Sequence, residues 1–338
     1  MKKRFRFFMM AAIIVLSMLT VTASASEGEG GDVASVTTTS GELQGTYSSL
    51  NDAVSAAQDG GTVTVLQPEV KLENYVSVTG KDITLDLNGA AISTDADVAV
   101  RVGENGKLTV TDRSASAAGS ITTTKPILFQ VYQGELVLEK GTYVQNYLCE
   151  AATSQTVAVV TMFGTNTDSG YCSQLTVGED AQLIAGEDCK GCYVICMFKA
   201  NSSQDHCYGM KATVSGKLGG VVSMYLNGTI SDTTGSITKV DITESAVLDG
   251  QIYAAGYAEW LVDGAEITGS SGIEIRAGKL TVNEGSEITG TATPFEVDSN
   301  GNGSTTVGAG IAVAQHTTNL PPEGTIRGAT NKGSWAVS

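Results

Sequence analysis

Val240-Asp241-Ile242, Leu261-Val262-Asp263 and Leu280-Thr281-Val282 are three versions of one short segment, and Ile242, Val262 and Val282 stand 20 residues apart. Two further apolar sets keep step with them. Val247, Ile267 and Ile288 recur at spacings of 20 and 21, and Ile252, Ile273 and Phe295 at 21 and 22. Three apolar ladders in one repeat predict three short strands per turn of a solenoid, each stacked on its counterpart in the next coil. Upstream the same pattern continues, with Val65 and Leu85 20 apart and Leu87 and Val110 23 apart. Between them and the late repeats, Val110, Leu138, Val177, Val214 and Ile242 follow at 28, 39, 37 and 28. Constant ladders with variable spacing predict a regular core whose insertions leave as loops.

A helical repeat is excluded, because nothing recurs at i, i+3 and i+4 and apolar runs end in Gly every eight to ten residues. A β-sandwich is the rival, and Asn88-Gly89 has the look of its hairpin turns. It does not account for a register held through three ladders. The expected fold is all-β: a single right-handed parallel β-helix over residues 46–318, with about ten coils between 62 and 315. One helix is expected over 49–58. Ser49 and Asp52 form a capping-box pattern, Leu50, Val54 and Ala57 share a face, and Gly60-Gly61 ends it. It would cover the first coil and protect an open sheet edge. Residues 26–45, small and polar, read as a flexible linker. At the other end the repeat breaks at Asn319-Leu320-Pro321-Pro322, and Pro lacks the amide proton of a central strand. Residues 319–338 are therefore expected to be irregular, either a thin cap built on Trp335 and Val337 or a loose end.

The chain has 338 residues, with 40 Gly, 5 Pro, 41% hydrophobic and 17% charged residues. Gly without a Gly-X-Y period excludes collagen, and the hydrophobic share excludes a disordered chain. The formal charge is −16, and four of the 20 basic residues (Lys2, Lys3, Arg4, Arg6) lie in the first six positions. Such a surface repels phosphate backbones and anionic lipid, so nucleic acid is not an expected partner. Those four residues form the positive start of an export signal. Residues 7–21 are its apolar stretch, and Thr22-Ala23-Ser24-Ala25 predicts cleavage after Ala25. With no stop-transfer segment and no wall-sorting motif, the mature protein is expected to be secreted or held at a cell surface, free of the membrane.

The stretches Ser49-Leu50-Asn51-Asp52-Ala53-Val54, Gly60-Gly61-Thr62-Val63-Thr64-Val65 and Ile83-Thr84-Leu85-Asp86-Leu87-Asn88-Gly89 resemble the opening of pectin-lyase-like β-helix domains. They are most similar to those of exported surface proteins of Gram-positive gut anaerobes. The resemblance is one of pattern and spans residues 46–315. It implies a fold, and function does not follow from it. The lyases of that family need clustered carboxylates for Ca²⁺ and a basic residue, and its hydrolases need paired Asp with His. Here there is no Asp-Asp pair, the only His are His206 and His316, and the mature chain has only Arg101, Arg113, Arg276 and Arg327. The closest constellation, Glu274 with Arg276, reads as a solvated cross-coil salt bridge. No cofactor is indicated. Asp95, Asp97 and Asp112 leave Ca²⁺ open as an option, and Asp298-Ser299-Asn300-Gly301-Asn302-Gly303 reads as a turn that only partly resembles a Ca²⁺ loop.

All six cysteines fall between 149 and 207. Cys189-x-x-Cys192 with Cys196, His206 and Cys207 suggests zinc, but export favours disulfides. Offsets of 40 and 35 residues between adjacent coils pair Cys149 with Cys189 and Cys172 with Cys207, leaving Cys192 and Cys196; an anaerobic habitat would leave free thiols as a third option. The expected function is a non-catalytic scaffold binding an extracellular glycan or surface protein. The alternative is a divergent polysaccharide lyase or glycoside hydrolase. Candidate binding residues are Tyr171, His206 and Tyr208 in the long middle coils, with Tyr147 and Asp205 beside them. Tyr253, Tyr257, Glu259 and Trp260 form a second, sugar-stacking patch.

Overall fold

The alternation of apolar and polar residues over three to six positions, closed each time by Gly, Asn, Asp or Ser, winds the chain into coils of three strands. The computed structural model describes residues 31–147, 157–164, 171–186, 193–199, 209–224, 237–291, 308–313, 322–333 and 335–337. Every element belongs to the unit Asp32–Ser338, and the other unit, Met1–Gly31, lies almost wholly outside the described residues. The expected export signal, residues 1–25, lies outside the described residues.

One ten-stranded sheet, running from Val76–Thr79 to Trp335–Val337, forms what we call face 3. A 20-stranded sheet supplies faces 1 and 2, whose strands begin with Gly61–Val65 and Glu69–Leu72. Each coil contributes one strand to each face, so there are ten coils, and all pairings between them are parallel. This is a parallel β-helix.

The inner ladder of face 1 is Val63, Leu85, Val110, Leu138, Val177, Val214, Ile242, Val262, Val282 and Ile326. From Val110 to Val282 it follows the sequence spacing residue for residue. Elsewhere the register corrects the reading. Ile267 stacks on Leu248, and the adjacent Val247 points outward at 39% exposure. A one-residue slip exchanges the two faces of a strand, and two neighbouring apolar residues hide the slip. Val63, two residues before Val65, is the partner of Leu85, and Leu85 replaces Leu87 beside Val110. Ile273 stacks on Ile311, whereas Phe295 lies outside the described residues.

The N-terminal end is closed by more than the helix. Strand β1 (Ala34–Thr37) pairs antiparallel with both β2 (Leu43–Tyr47) and the first face 1 strand, so most of residues 33–45 is structured, not a linker. Ala34 and Val36 point into the core, a two-residue alternation easily lost among Ser and Thr. Helix α1 (Leu50–Ala56) packs against these strands and the first strand of face 3. The Asp52 amide donates to Ser49 Oγ at 3.1 Å, the capping geometry expected. At the other end of α1, Lys81 Nζ donates to the carbonyls of Val54, Ser55 and Ala57 at 2.7–3.0 Å. A cation there satisfies orphan carbonyls and complements the helix dipole.

The coils also run further than expected. Pro322–Ile326 and Thr330–Lys332 continue faces 1 and 2 as a tenth coil, completed by Trp335–Val337. Pro322 is tolerated because it is the first residue of its strand. The core thins here, with Gly324 stacked on Leu280 and Asn331 on Ile288.

The turn from face 1 to face 2 is built on two carboxylates, one of which, Asp112, is among the three acidic residues that leave Ca²⁺ open in the sequence. Asp112, 1% exposed, accepts from the amides of Gly89 (2.9 Å), Ser114 (3.0 Å) and Gly119 (2.6 Å). Asp86, one coil earlier, accepts from the amides of Asn88 and Arg113. Asp95 instead pairs with Lys71 at 2.6 Å on the surface. Among the described residues, no group of three or more His, Cys, Asp and Glu gathers as a metal site requires, and no helix is long and apolar enough to cross a membrane.

Candidate functional site

Apart from residues 38–42 in the N-terminal cap and residues 112–119, every connection longer than four residues begins or ends at a strand of face 3. Nearly all the long insertions of the coils therefore leave from, or return to, the ends of face 3 strands. The outward-pointing residues of that face form one continuous column: Ser77, Arg101, Gln130, Thr161, Cys196, Ser223, Tyr253, Glu274 and Ala312. Ser77 and Arg101 are exposed and Gln130 is half-buried. From Thr161 onward every member is buried. The column thus divides into an open stretch over coils 1–3 and an enclosed stretch beyond.

The open stretch is a groove of about 570 Å³ lined by Ser77, Thr79, Arg101, Gly103, Glu104, Gln130, Tyr132 and Phe163. Arg101 Nε donates to Gln130 Oε1 at 2.7 Å, and its guanidinium lies 5.1 Å from the Tyr75 ring centroid. These contacts hold a flexible cation in one orientation. Beside it, Tyr132, Phe163 and Phe198 stack coil upon coil, with edge-to-face centroid distances of 6.5 and 6.4 Å. Gly103, a coil before Tyr132, leaves a gap in that aromatic column. A Cβ there would meet Thr79 Oγ1 at 3.2 Å. Polar groups on one wall and aromatic rings on the other, fixed on rigid strands, suit recognition of an amphipathic ligand.

The enclosed stretch corrects the reading of Glu274 and Arg276. Glu274 Oε1 accepts from Arg276 Nε at 2.6 Å, with side-chain exposures of 0% and 13%, and the guanidinium lies 5.4 Å from the Tyr253 ring. The pair runs along one strand and is buried, not solvated and not cross-coil. Tyr193, Cys196, Val221 and Tyr253 form a small apolar cluster on the same side. Ser223 Oγ, in the middle of the column, is buried with no hydrogen-bond partner among the described residues.

The other expected binding residues scatter. Trp260 is 2% exposed and points into the solenoid between Val240 and Leu280, where the neighbouring Ala212 coil makes room. Tyr253 is also buried, and Tyr257 is partly buried against the core. Trp260 and Tyr253 thus do not offer the open ring face that the sugar-stacking reading required. Glu259 pairs with Lys239 at 3.4 Å across coils. Tyr171 lines a separate groove with Lys107, Glu135 and Gln174, at the turn from face 3 to face 1. Tyr171 and then Glu259 hold the Lys239 ammonium above its ordinary pKa. Tyr147 is half-buried at the end of the described stretch before residue 148; Asp205, His206 and Tyr208 lie outside the described residues.

Of the cysteines, Cys149, Cys189, Cys192 and Cys207 lie outside the described residues. Cys196 is in the buried outer column, and Cys172 Sγ donates to the Gly209 carbonyl at 3.2 Å. The 35-residue offset holds on face 3, where Met162 stacks on Met197. On face 1 the offset is 37, as in Leu175 to Ala212, which sets Gly209 rather than Cys207 beside Cys172.

The groove's own residues were not among the sequence candidates. Arg101 and Gln130 are 29 positions apart, and Tyr132 and Phe163 are 31 apart, so only the coil register joins them. Compared with known proteins, the chain matches no family model, no curated protein and no solved structure. Fold and site together describe a parallel β-helix with an open, aromatic-lined groove, among the described residues, on the face from whose strand ends the long insertions leave.

Proposed function

We propose that this chain is an exported, non-catalytic binding scaffold, secreted or held at a cell surface, that engages an extracellular glycan or surface protein through face 3. The observation that supports this most is that a preorganised polar and aromatic groove lies on the face whose strand ends give off nearly all the long connections. Loops and side chains carried on a rigid scaffold are where recognition concentrates. The export signal in residues 1–25 and the negative charge fit an extracellular setting.

The mature protein should begin at Ser26 and bind saturably on an array of glycans and surface proteins. It should release no product from acidic polysaccharides in lyase and hydrolase assays. Arg101→Ala should weaken the array binding about tenfold, the equivalent of about 1.4 kcal/mol. Steady product release by the unmodified protein would replace the scaffold with the enzymatic alternative. Disulfides belong to the same proposal. The face 2 offset of 40, from Gln145 to Ala185, leaves Cys149 and Cys189 each four residues past paired positions. Non-reducing peptide mapping of the exported protein should show that linkage, and two unmodified thiols at these positions would reject it.

A further inference from the structure

We infer that the groove on face 3 is a subsite for an uncharged glycan chain lying along the helix axis, with pyranose faces on the Tyr132 and Phe163 rings and hydroxyls on Arg101, Gln130 and Glu104. The inference rests on the binding-scaffold reading above and adds the ligand's chemical class and direction.

Direction follows from the two columns. Polar Ser77, Arg101 and Gln130 stack coil on coil, Tyr132 stacks on Phe163 alongside them, and Gly103, one residue past the Val102–Val131 pair, precedes Tyr132 in the same register. Parallel strands lie about 4.8 Å apart, and residues two apart on a strand about 6.6 Å. The groove is therefore a trough parallel to the axis, with a repeated hydrogen-bonding wall and a repeated apolar wall. An extended glycan repeats in the same manner, one apolar ring face and one set of hydroxyls per unit. A volume of about 570 Å³ falls within the usual range of ligand sites, about 300–1,000 Å³.

Neutrality follows from the charges. The groove holds one cation, Arg101, and one carboxylate, Glu104. Arg101 is already engaged by Gln130 and stacked on Tyr75, so it is placed as a hydroxyl donor more than as an unpaired counter-ion. The whole chain carries −16, and a polyanion approaching the groove meets that field. A neutral chain does not. Gly103 is the gap that admits a ring beside Tyr132, since any larger side chain there would fill the trough.

The test is titration calorimetry of the mature protein with neutral β-1,4-linked gluco-, manno- and xylo-oligosaccharides, and with galacturonate oligosaccharides, at low and high salt. At least one neutral series should bind with little salt dependence. Tyr132→Ala and Gly103→Leu should each weaken that binding at least tenfold while the melting curve stays unchanged. Should Gly103→Leu misfold, Tyr132→Ala, in which the lost ring is 36% exposed, still decides. Preferential, salt-sensitive binding of galacturonates would overturn the neutral class and leave the scaffold reading intact. Neutral binding indifferent to both substitutions would overturn the site. Failure of every oligosaccharide, with groove-dependent binding to a protein on the array, would overturn the glycan class alone. Failure of the saccharides and of the array together would remove the scaffold reading as well.

Discussion

Val262→Asp should yield no folded protein, whereas Leu261→Asp, one residue away, should fold and melt almost normally. Val262 is fully buried in the face 1 ladder between Ile242 and Val282. A carboxylate there has apolar neighbours above, below and across the coil, and an unpartnered buried charge costs about 5 kcal/mol or more, comparable with the stability of a whole domain. Leu261 lies on the outer side of the same strand between Asp241 and Thr281, half-buried at the rim of a surface groove. Substitution there should cost no more than about 1 kcal/mol. Circular dichroism and thermal melting of the two variants check the register directly. Equal damage from both would mean that this strand does not present alternate residues to core and solvent.

Asp112→Ala should lower stability at neutral pH by about 3 kcal/mol, because three backbone amides in the face 1 to face 2 turn lose their acceptor together. The same carboxylate predicts the acid limb. Burial by itself would raise its pKa, but the Ser114 hydroxyl and the Gly119, Ser114 and Gly89 amides outweigh that and hold it below the ordinary carboxylate value. A lowered folded-state pKa contributes stability that is complete above the unfolded value, about 3.9, and lost as pH falls through the folded one. Wild-type protein should thus lose stability below about pH 4, and Asp112→Ala should lose less over that interval. Denaturant melts between pH 2 and 7 read both effects. Parallel curves for the two proteins would show that Asp112 is not held as an anion by the turn.

The main ladder was legible because its members are isolated large apolar residues in a polar alternation, and stacking preserves their spacing whatever the loops do. Register was lost where that isolation fails, at Val247-Leu248, or where a long insertion precedes the strand, as with Ile311. Strand β1 was missed because Ala34 and Val36 are small and sit among Ser and Thr. Trp260 looked like a sugar platform beside Tyr257 and Glu259. Its own ladder, Val240, Trp260 and Leu280 at 20-residue steps, already placed it with core residues. The groove was not legible at all. Each wall takes one residue per coil, and no local motif marks a site assembled entirely by stacking.

Hydroxyl-radical footprinting of the mature protein, with and without a glycan or surface protein that it binds on the array, tests most directly whether face 3 is the binding face. Tyr75 and Tyr132 flank or line the groove at 48% and 36% exposure, while Val247 on face 2 and Ile326 on the last coil of face 1 are 39% and 40% exposed. Ligand should protect Tyr75 and Tyr132 from oxidation and leave Val247 and Ile326 as reactive as before. Protection of Val247 or Ile326, with Tyr75 and Tyr132 unchanged, would contradict binding at face 3.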